Sequence, residues 1–503
     1  MEYSLHTDSV GVLFTTTGPG LTNTYTGLRT ARTDGAKIVL LSGLTSESEV
    51  GNPRPIQETT AGWIDSATNE SFQYPFSESI ILRHRGDLVH LAQRLRALND
   101  APAGGCLGVF VSLATQKTLT PPLCSLEITP PVRTQRDAGS LHRWTEYLST
   151  KLQSGNCIIW AGSGAKAAAS DLRKVAEHYD TPVVTTLRAK GVFPETHELS
   201  LGCTGTWGNV TTDVFRSRLN PNTTVIVLGS RLQGLCSSLI QLHCMSECEL
   251  IAVDLHPGPV RRNLPPHALV IEAEIKSLLN LLAQNIHNTG TKTNNPKYKL
   301  KEYSIPREES KQKDRIHPTS LISMVQSIAI DTYDYKVIVD NGNTLAWTTS
   351  LLRFSKVGRF RASTHEAPMG QAACGAVGIG ACGTPVLAIV GDGAMLLQNE
   401  ISTAVSHQLP VIWLVLNDAL YNMCQQGMDE LGACVPDCSI PETDFALYGR
   451  SLGARGFVAK TSSELEDSLW QALEEKVPTV IDARIDSSVV APLGDRVTSL
   501  ARE

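Results

Sequence analysis

The chain has 503 residues, 42% hydrophobic and 19% charged, with 44 lysines and arginines against 50 aspartates and glutamates, a formal net charge of −6. At about 150 residues per domain, that length predicts three domains, and the hydrophobic content excludes wholesale disorder. The mild acidity offers no footprint for nucleic acid or an anionic membrane, and no apolar run approaches the roughly 18 residues that span a bilayer. The first eight residues lack the basic and apolar regions of a signal peptide, so a soluble, cytoplasmic protein is expected.

In chain order, residues 11–17 form an apolar run entering Gly18-Pro19-Gly20, residues 21–32 read as a helix, and residues 37–43 as a second strand. Residues 106–113 close this first block, expected over residues 1–118. The Pro- and Thr-rich stretch 118–135 reads as a linker. A second block, residues 136–284, opens with a helical pattern at 142–152. A strand at 156–161 follows, feeding Gly162-Ser163-Gly164, then a helix over 165–179 and β-like runs at 182–186, 224–229 and 249–254. The polar stretch 285–313 is the second linker. The third block, residues 315–490, repeats the alternation: helix 319–330, strand 336–340, helix 369–381, strand 385–390, helix 397–407, and strands 410–416 and 479–483. Alternating strands and helices argue for an α/β protein with three doubly wound parallel-sheet domains in series.

Among the twelve cysteines, Cys157, Cys203 and Cys374 stand among apolar or small residues, as reduced core thiols do. Two groups could be metal sites: His243 with Cys244 and Cys248, and Cys424 with Cys434 and Cys438. Neither repeats the tight Cys-x2-Cys pair of a zinc site, so scattered free thiols are expected.

The strongest chemical signal is Gly391-Asp392-Gly393-Ala394 at the end of one strand, followed by a helix and a second strand ending at Asn417-Asp418. One right-handed crossover brings Asp392 and Asp418 to the same sheet edge, where ligands of doubly wound sheets collect. Two hard oxygen ligands beside a helix N-terminus suit Mg²⁺ holding a diphosphate, with Gly391 and Gly393 admitting the phosphates closely. Gly-Asp-Gly alone would be an ordinary turn with a solvated aspartate; the flanking strands and the spacing to Asn417-Asp418 favour the functional reading.

Here the sequence resembles the thiamine-diphosphate-dependent 2-oxo acid decarboxylases and carboligases, most closely their acetolactate synthase-like branch. Their signature is Gly-Asp-Gly, then Asn-Asn; this chain has Asn417-Asp418 and a spacing one residue short. The resemblance implies Mg²⁺ held by Asp392, Asp418 and the backbone carbonyl of Leu420, with Ala394 and Met423 beside the cofactor. Gly18-Pro19-Gly20-Leu21-Thr22-Asn23 is similar to the pyrimidine-binding turn, placing Pro19 and Asn23 near the aminopyrimidine. Ile56-Gln57-Glu58 resembles the family's Phe-Gln-Glu, whose glutamine reaches the reacting carbon from the partner subunit. Residues 185–194 resemble the central domain's Thr-Thr-Leu-x-x-x-Gly-x-Phe-Pro. Asp340-Asn341-Gly342-Asn343-Thr344 falls at the diphosphate turn, implicating Asn343 and Thr344. Pro368-Met369-Gly370 places Met369 under the cofactor. Glu366 and His365 are candidates for proton shuttling or substrate selection, or a solvated loop pair; Gln57 would hydrogen-bond developing oxyanion character, or be a polar surface turn.

The resemblance therefore implies thiamine diphosphate, Mg²⁺, 2-oxo acid substrates, a homodimer or homotetramer, and decarboxylation followed by acyloin-type carboligation. The glutamate that activates the family's cofactor would fall before Met1. Glu2 lies about ten residues too late to replace it. The chain as given is expected to be weak or inactive, with an upstream reading frame restoring it. Alternatives are a simple decarboxylase and a homologue that binds the cofactor without turnover. Gly162-Ser163-Gly164-Ala165-Lys166-Ala167 also satisfies a loose G-x-G-x-x-A pattern, which raises FAD or a nicotinamide; only Asp180 offers the ribose acid, and an empty structural turn is preferred.

Overall fold

Three all-parallel sheets follow one another along the chain. The computed structural model describes residues 1–52, 57–61, 64, 75–118, 138–209, 219–233, 245–286, 304–397, 400–434 and 436–493. Most of both expected linkers, and Ile56, His243 and Cys244, lie outside the described residues.

The first sheet contains β1 (Gly11–Thr15), β2 (Lys37–Leu44), β3 (Glu78–Leu82) and β4 (Gly105–Ser112) in the order β1-β2-β4-β3. The second has β5 (Cys157–Ala161), β6 (Val183–Thr186), β7 (Ser200–Thr204), β8 (Thr224–Leu228), β9 (Glu249–Asp254) and β10 (Leu269–Glu272), ordered β10-β9-β8-β5-β6-β7. The third has β11 (Lys336–Val339), β12 (Phe360–Ala362), β13 (Val386–Gly391), β14 (Val411–Asn417), β15 (Arg455–Ala459) and β16 (Thr479–Arg484), ordered β12-β11-β13-β14-β16-β15. Central strands such as β5, β8 and β14 are buried along their whole length, which is why they read as continuous apolar runs rather than alternating ones.

The sheets fall within the three expected blocks, yet the chain divides into two compact units. One is Met1–Gln135 with His365–Pro368; the other is Arg136–Thr364 with Met369–Glu503. A buried ion pair helps make the second and third blocks one body. Lys190 Nζ lies 2.8 Å from Glu195 Oε1 and donates to the Thr349 carbonyl at 3.2 Å, while Glu195 Oε2 accepts from Phe354 N–H at 2.8 Å.

Several elements depart from the expected ones. The helix expected over 21–32 is broken into Pro19–Thr22 and Tyr25–Asp34. At the break the Thr24 hydroxyl donates to the Leu21 carbonyl at 2.6 Å, a local bond that competes with helix continuation. The helix expected over 165–179 begins as a 3₁₀ segment, Ser163–Ala168, and that over 319–330 widens into a π-helix at Val325–Thr332. In the first block, β3 and the helix Asp87–Asn99 were not anticipated. β1 lies at the end of its sheet, and Val12, Leu13 and Phe14 are exposed on it. Among the described residues no helix is long and apolar enough to cross a membrane.

Candidate active site

In the third sheet β12 lies on one side of β11 and β13 on the other, so strand order reverses between β11 and β13. That reversal opens a crevice outside the carboxyl ends of the strands. Asp340-Asn341-Gly342-Asn343 leaves β11 there, Gly391-Asp392-Gly393 leaves β13, and Asn417-Asp418 ends the neighbouring β14. The backbone is open at both glycine turns: a Cβ built on Gly342, which has φ +105°, or on Gly391 would meet nothing within 4 Å.

Asp340 shapes this crevice without lining it. Its buried carboxylate accepts from the N–H groups of Asn341 (2.9 Å), Gly370 (3.0 Å), Ala372 (2.8 Å) and Ala373 (3.2 Å). It thereby caps the helix Gln371–Gly380 and fixes the chain next to Met369. Burial pushes the carboxyl up to about 6 even against these four donors.

Asp392 Oδ1 accepts from Gly393 N–H at 2.7 Å and Oδ2 from Ala419 N–H at 2.8 Å. Burial raises its pKa, opposed by these and neighbouring backbone donors. Burial, and then the adjacent Asp392 charge, push Asp418 up to about 7. Asn417 cannot relieve this pair, because its amide is turned into the sheet, donating to Asp482 Oδ1 (2.9 Å) and the Thr443 carbonyl (3.0 Å). Leu420 pairs with Ser439 in an isolated antiparallel bridge made by its neighbours, Tyr421 N–H to the Cys438 carbonyl and Ile440 N–H to the Ala419 carbonyl. In such a pair the residue's own N–H and C=O both turn away from the partner strand. The Leu420 N–H faces the acidic pair, where it favours the charged form of both Asp392 and Asp418. Ala419, between the two expected ligands, takes the left-handed conformation (φ 55°) that this turn requires.

The buried Asp392 carboxylate beside the half-buried Asp418 is an acidic pair of the kind a hard divalent cation binds. Among the described residues no group of three or more His, Cys, Asp or Glu side chains could hold a metal. Asp392 and Asp418 would suit Mg²⁺, which keeps few protein ligands and completes its shell with phosphate and water oxygens.

Around the acidic pair the surface is apolar. A Cβ on Gly393 would lie 2.7 Å from the Tyr421 ring and 3.1 Å from Met369 Cε, and one on Gly370 would lie 3.4 Å from Leu397 Cβ. Met369, Leu397 and Tyr421 are all exposed. Ala394 is buried in the turn of helix after Asp392, and Met423 packs half-buried against the sheet core. Thr344 is also buried, and its hydroxyl donates to the Asp340 carbonyl at 3.0 Å, so its proton is spent on the helix start rather than held out to a diphosphate.

The remaining expected residues belong to the first unit. Pro19 begins the short helix after Gly18, and exposed Asn23 closes it. Gln57 is brought to this turn: a Cβ on Gly18 would lie 2.6 Å from Gln57 Cβ, and Gly18 N–H donates to Thr59 Oγ1 at 2.8 Å. Gln57 is exposed and left-handed (φ 60°), an unusual backbone state of the kind that gathers at functional sites. Glu366 pairs with Arg29 at 3.0 Å, and His365 Nδ1 lies 3.5 Å from the buried Asp34 carboxylate. Both are thus held by the helix Tyr25–Asp34 rather than being a solvated loop pair.

Comparison with known proteins agrees with this geometry. Residues 1–69, 152–282 and 340–483 match, in order, the N-terminal TPP binding, central and C-terminal TPP binding domains of thiamine pyrophosphate enzymes. The chain belongs to the thiamine pyrophosphate enzyme family. This family member is similar to the acetolactate synthase large subunits of Cyanidium caldarium, at 23% identity over 97% of this chain and 83% of that protein, and of Buchnera aphidicola subsp. Schizaphis graminum, at 24% identity over 97% and 85%. Its fold is that of benzoylformate decarboxylase from Polynucleobacter necessarius, with a TM-score of 0.77, 18% identity, and 97% of this chain and 90% of that chain covered.

In the central domain of this thiamine pyrophosphate enzyme the amides of the glycine turn after β5 are already engaged. The N–H groups of Gly162, Gly164 and Ala165 already donate to the carbonyls of Leu228 (2.8 Å), Gly229 (3.0 Å) and Gly162 (3.1 Å). A Cβ on Gly162 would run into the Gly229 carbonyl, so the turns after β5 and β8 pack directly on one another at the switch-point crevice. No phosphate cradle remains at these amides, which argues against FAD there. Gly162→Ala is expected to cost about 1–3 kcal/mol by overpacking. Urea denaturation checks this, and a neutral substitution would show the crevice to be open. Of the cysteines, Cys248 is buried, Cys424 and Cys434 are exposed, and all three are free thiols, as is Cys438.

Proposed function

We propose that this chain is a thiamine-diphosphate- and Mg²⁺-dependent enzyme, acetolactate synthase-like, that decarboxylates a 2-oxo acid and joins the remaining acyl unit to a second carbonyl, acting as a homodimer or homotetramer. The observation that carries this reading is the acidic pair of buried Asp392 and half-buried Asp418, at the ends of β13 and β14 beside the reversal of strand order. When bound, thiamine diphosphate supplies a carbon nucleophile able to hold the electron pair released with carbon dioxide. Asp392, Asp418 and the Leu420 carbonyl would hold Mg²⁺, while the open backbone at Gly342 and Gly391 admits the diphosphate. Met369, Leu397 and Tyr421 would exclude water near the cradle, which favours loss of a carboxylate whose charge disperses. Gln57, held against Gly18, is the residue to donate an amide N–H to a substrate oxygen. Glu366 and His365, committed to Arg29 and Asp34, hold their segment rather than move protons.

The test supplies both cofactors and a panel of pyruvate, 2-oxobutyrate and aromatic 2-oxo acids, reading carbon dioxide, coupled product and, by light scattering, mass. Slow formation of coupled product from at least one pair, by a dimer or larger species, is expected. Carbon dioxide with free aldehyde alone would replace carboligation by simple decarboxylation. Cofactor binding with no carbon dioxide from any acid would overturn the enzymatic reading.

A further inference from the structure

The helix Asn422–Leu431 carries two buried amides one turn apart, Asn422 and Gln426. Each bridges a residue of the cradle and the backbone of the segment that follows β16. Asn422 Nδ2 donates to Asp418 Oδ2 at 2.7 Å and to the Ser487 carbonyl at 3.0 Å. Gln426 Nε2 donates to the Val489 carbonyl at 3.1 Å, and its Oε1 accepts from Ala491 N–H at 3.1 Å and from Asn343 Nδ2 at 3.3 Å.

These bonds decide amide orientations that side-chain positions alone leave open. A backbone carbonyl can face only the amino end of Gln426, and a backbone N–H only its oxygen. With Gln426 fixed from both sides, Asn343 must turn its amino group to Gln426 Oε1, and Oδ1 becomes its free end. That Oδ1 is buried with no hydrogen-bond partner. An unpartnered acceptor calls for a donor, such as a metal-bound water, and cannot bond a phosphate oxygen.

We infer that Gln426 and Asn422 are positioning residues, braced on the backbone of Ser487–Ala491, that set the Asn343 amide and the Asp418 carboxylate respectively. The inference rests on the thiamine diphosphate reading of the cradle. Both amides act on the cation side of the cradle: Gln426 through Asn343, whose Oδ1 can accept only from a donor such as water in the ion's shell, and Asn422 through Asp418.

Isothermal titration of the purified full chain tests this. Thiamine diphosphate is titrated at saturating Mg²⁺, and Mg²⁺ at fixed thiamine diphosphate. Gln426→Leu and Asn422→Leu are each expected to raise the Mg²⁺ requirement about tenfold, with the affinity for thiamine diphosphate at saturating Mg²⁺ little changed. In an Asn343→Ala background Gln426→Leu should add nothing, since the residue it acts through is gone. Gln426→Met and Asn422→Met serve in place of any leucine variant whose circular dichroism is not native. Both ligands weakening together in each variant, unchanged affinities, or additivity with Asn343→Ala would reduce these amides to structural contacts and overturn the inference. If the wild-type chain binds no thiamine diphosphate, the reading of the cradle falls and this inference with it; if it binds and the variants fail to act on the Mg²⁺ requirement alone, only the inference falls.

Discussion

Asp392→Ala is expected to abolish the joint stabilisation of this protein by thiamine diphosphate and Mg²⁺. With ligand at about 100 times its Kd, the wild-type fold should gain roughly 2.7 kcal/mol, a shift readily seen in a thermal melt. The substitution deletes one of two acidic ligands and frees Ala419 N–H, which the carboxylate holds at 2.8 Å. That N–H anchors the left-handed turn between Asp418 and Leu420, so all three expected ligands are disturbed at once. The metal-free variant, in contrast, should melt close to wild type. Removing Asp392 relieves the charge that helps push Asp418 up to about 7, and this offsets the lost backbone bonds. The effect thus appears in the response to cofactor rather than in the fold. An unchanged thermal shift in Asp392→Ala would reject the metal assignment.

Lys190→Met is expected to destabilise the second unit by about 3–5 kcal/mol, because it strands the Glu195 carboxylate without a counter-charge in a fully buried site. Methionine fills much of the same volume, so a cavity contributes little. The Thr349 carbonyl loses its 3.2 Å donor as well. Lys190→Met with Glu195→Leu removes both charges and should recover part of the loss. Recovery stays incomplete, because Phe354 N–H then lacks the acceptor it has at 2.8 Å, a cost of about 1–3 kcal/mol. Urea denaturation followed by far-ultraviolet circular dichroism reads both variants. A single variant within about 1 kcal/mol of wild type, the level of an exposed pair, would show that the pair is solvated.

The parts of the site that were legible in the sequence are those made by local structure. Gly391-Asp392-Gly393 and Asn417-Asp418 could be placed together because one strand–helix–strand crossover has a fixed hand and its two strands, β13 and β14, are neighbours. The three-sheet α/β architecture was legible for a similar reason: strands buried on both faces read as apolar runs, and helices between them as amphipathic stretches. β3 escaped notice because it is an edge strand with a single buried residue, and the helix Asp87–Asn99 because it buries none of its residues completely.

By itself, then, the sequence determined the central strands of the sheets, the glycine turns at their carboxyl ends and the acidic pair, since each follows from pattern within a few tens of residues; the edge strands β3, β7, β10, β12 and β15 did not show in it. The tertiary structure alone decided what those turns are free to do. The glycine turn after β5 matches a phosphate-binding pattern, yet its amides are taken by the carbonyls of Leu228 and Gly229, more than sixty positions away. Asp340 looked like the start of a diphosphate loop and proves to be the cap of a helix thirty residues later. Lys190 meets the Thr349 carbonyl, and Gln426 meets both Asn343 and Ala491, across separations that carry no local periodicity. A hydrogen-bonding group can be read from its residue type, but whether its capacity is already spent depends on which distant backbone folds against it.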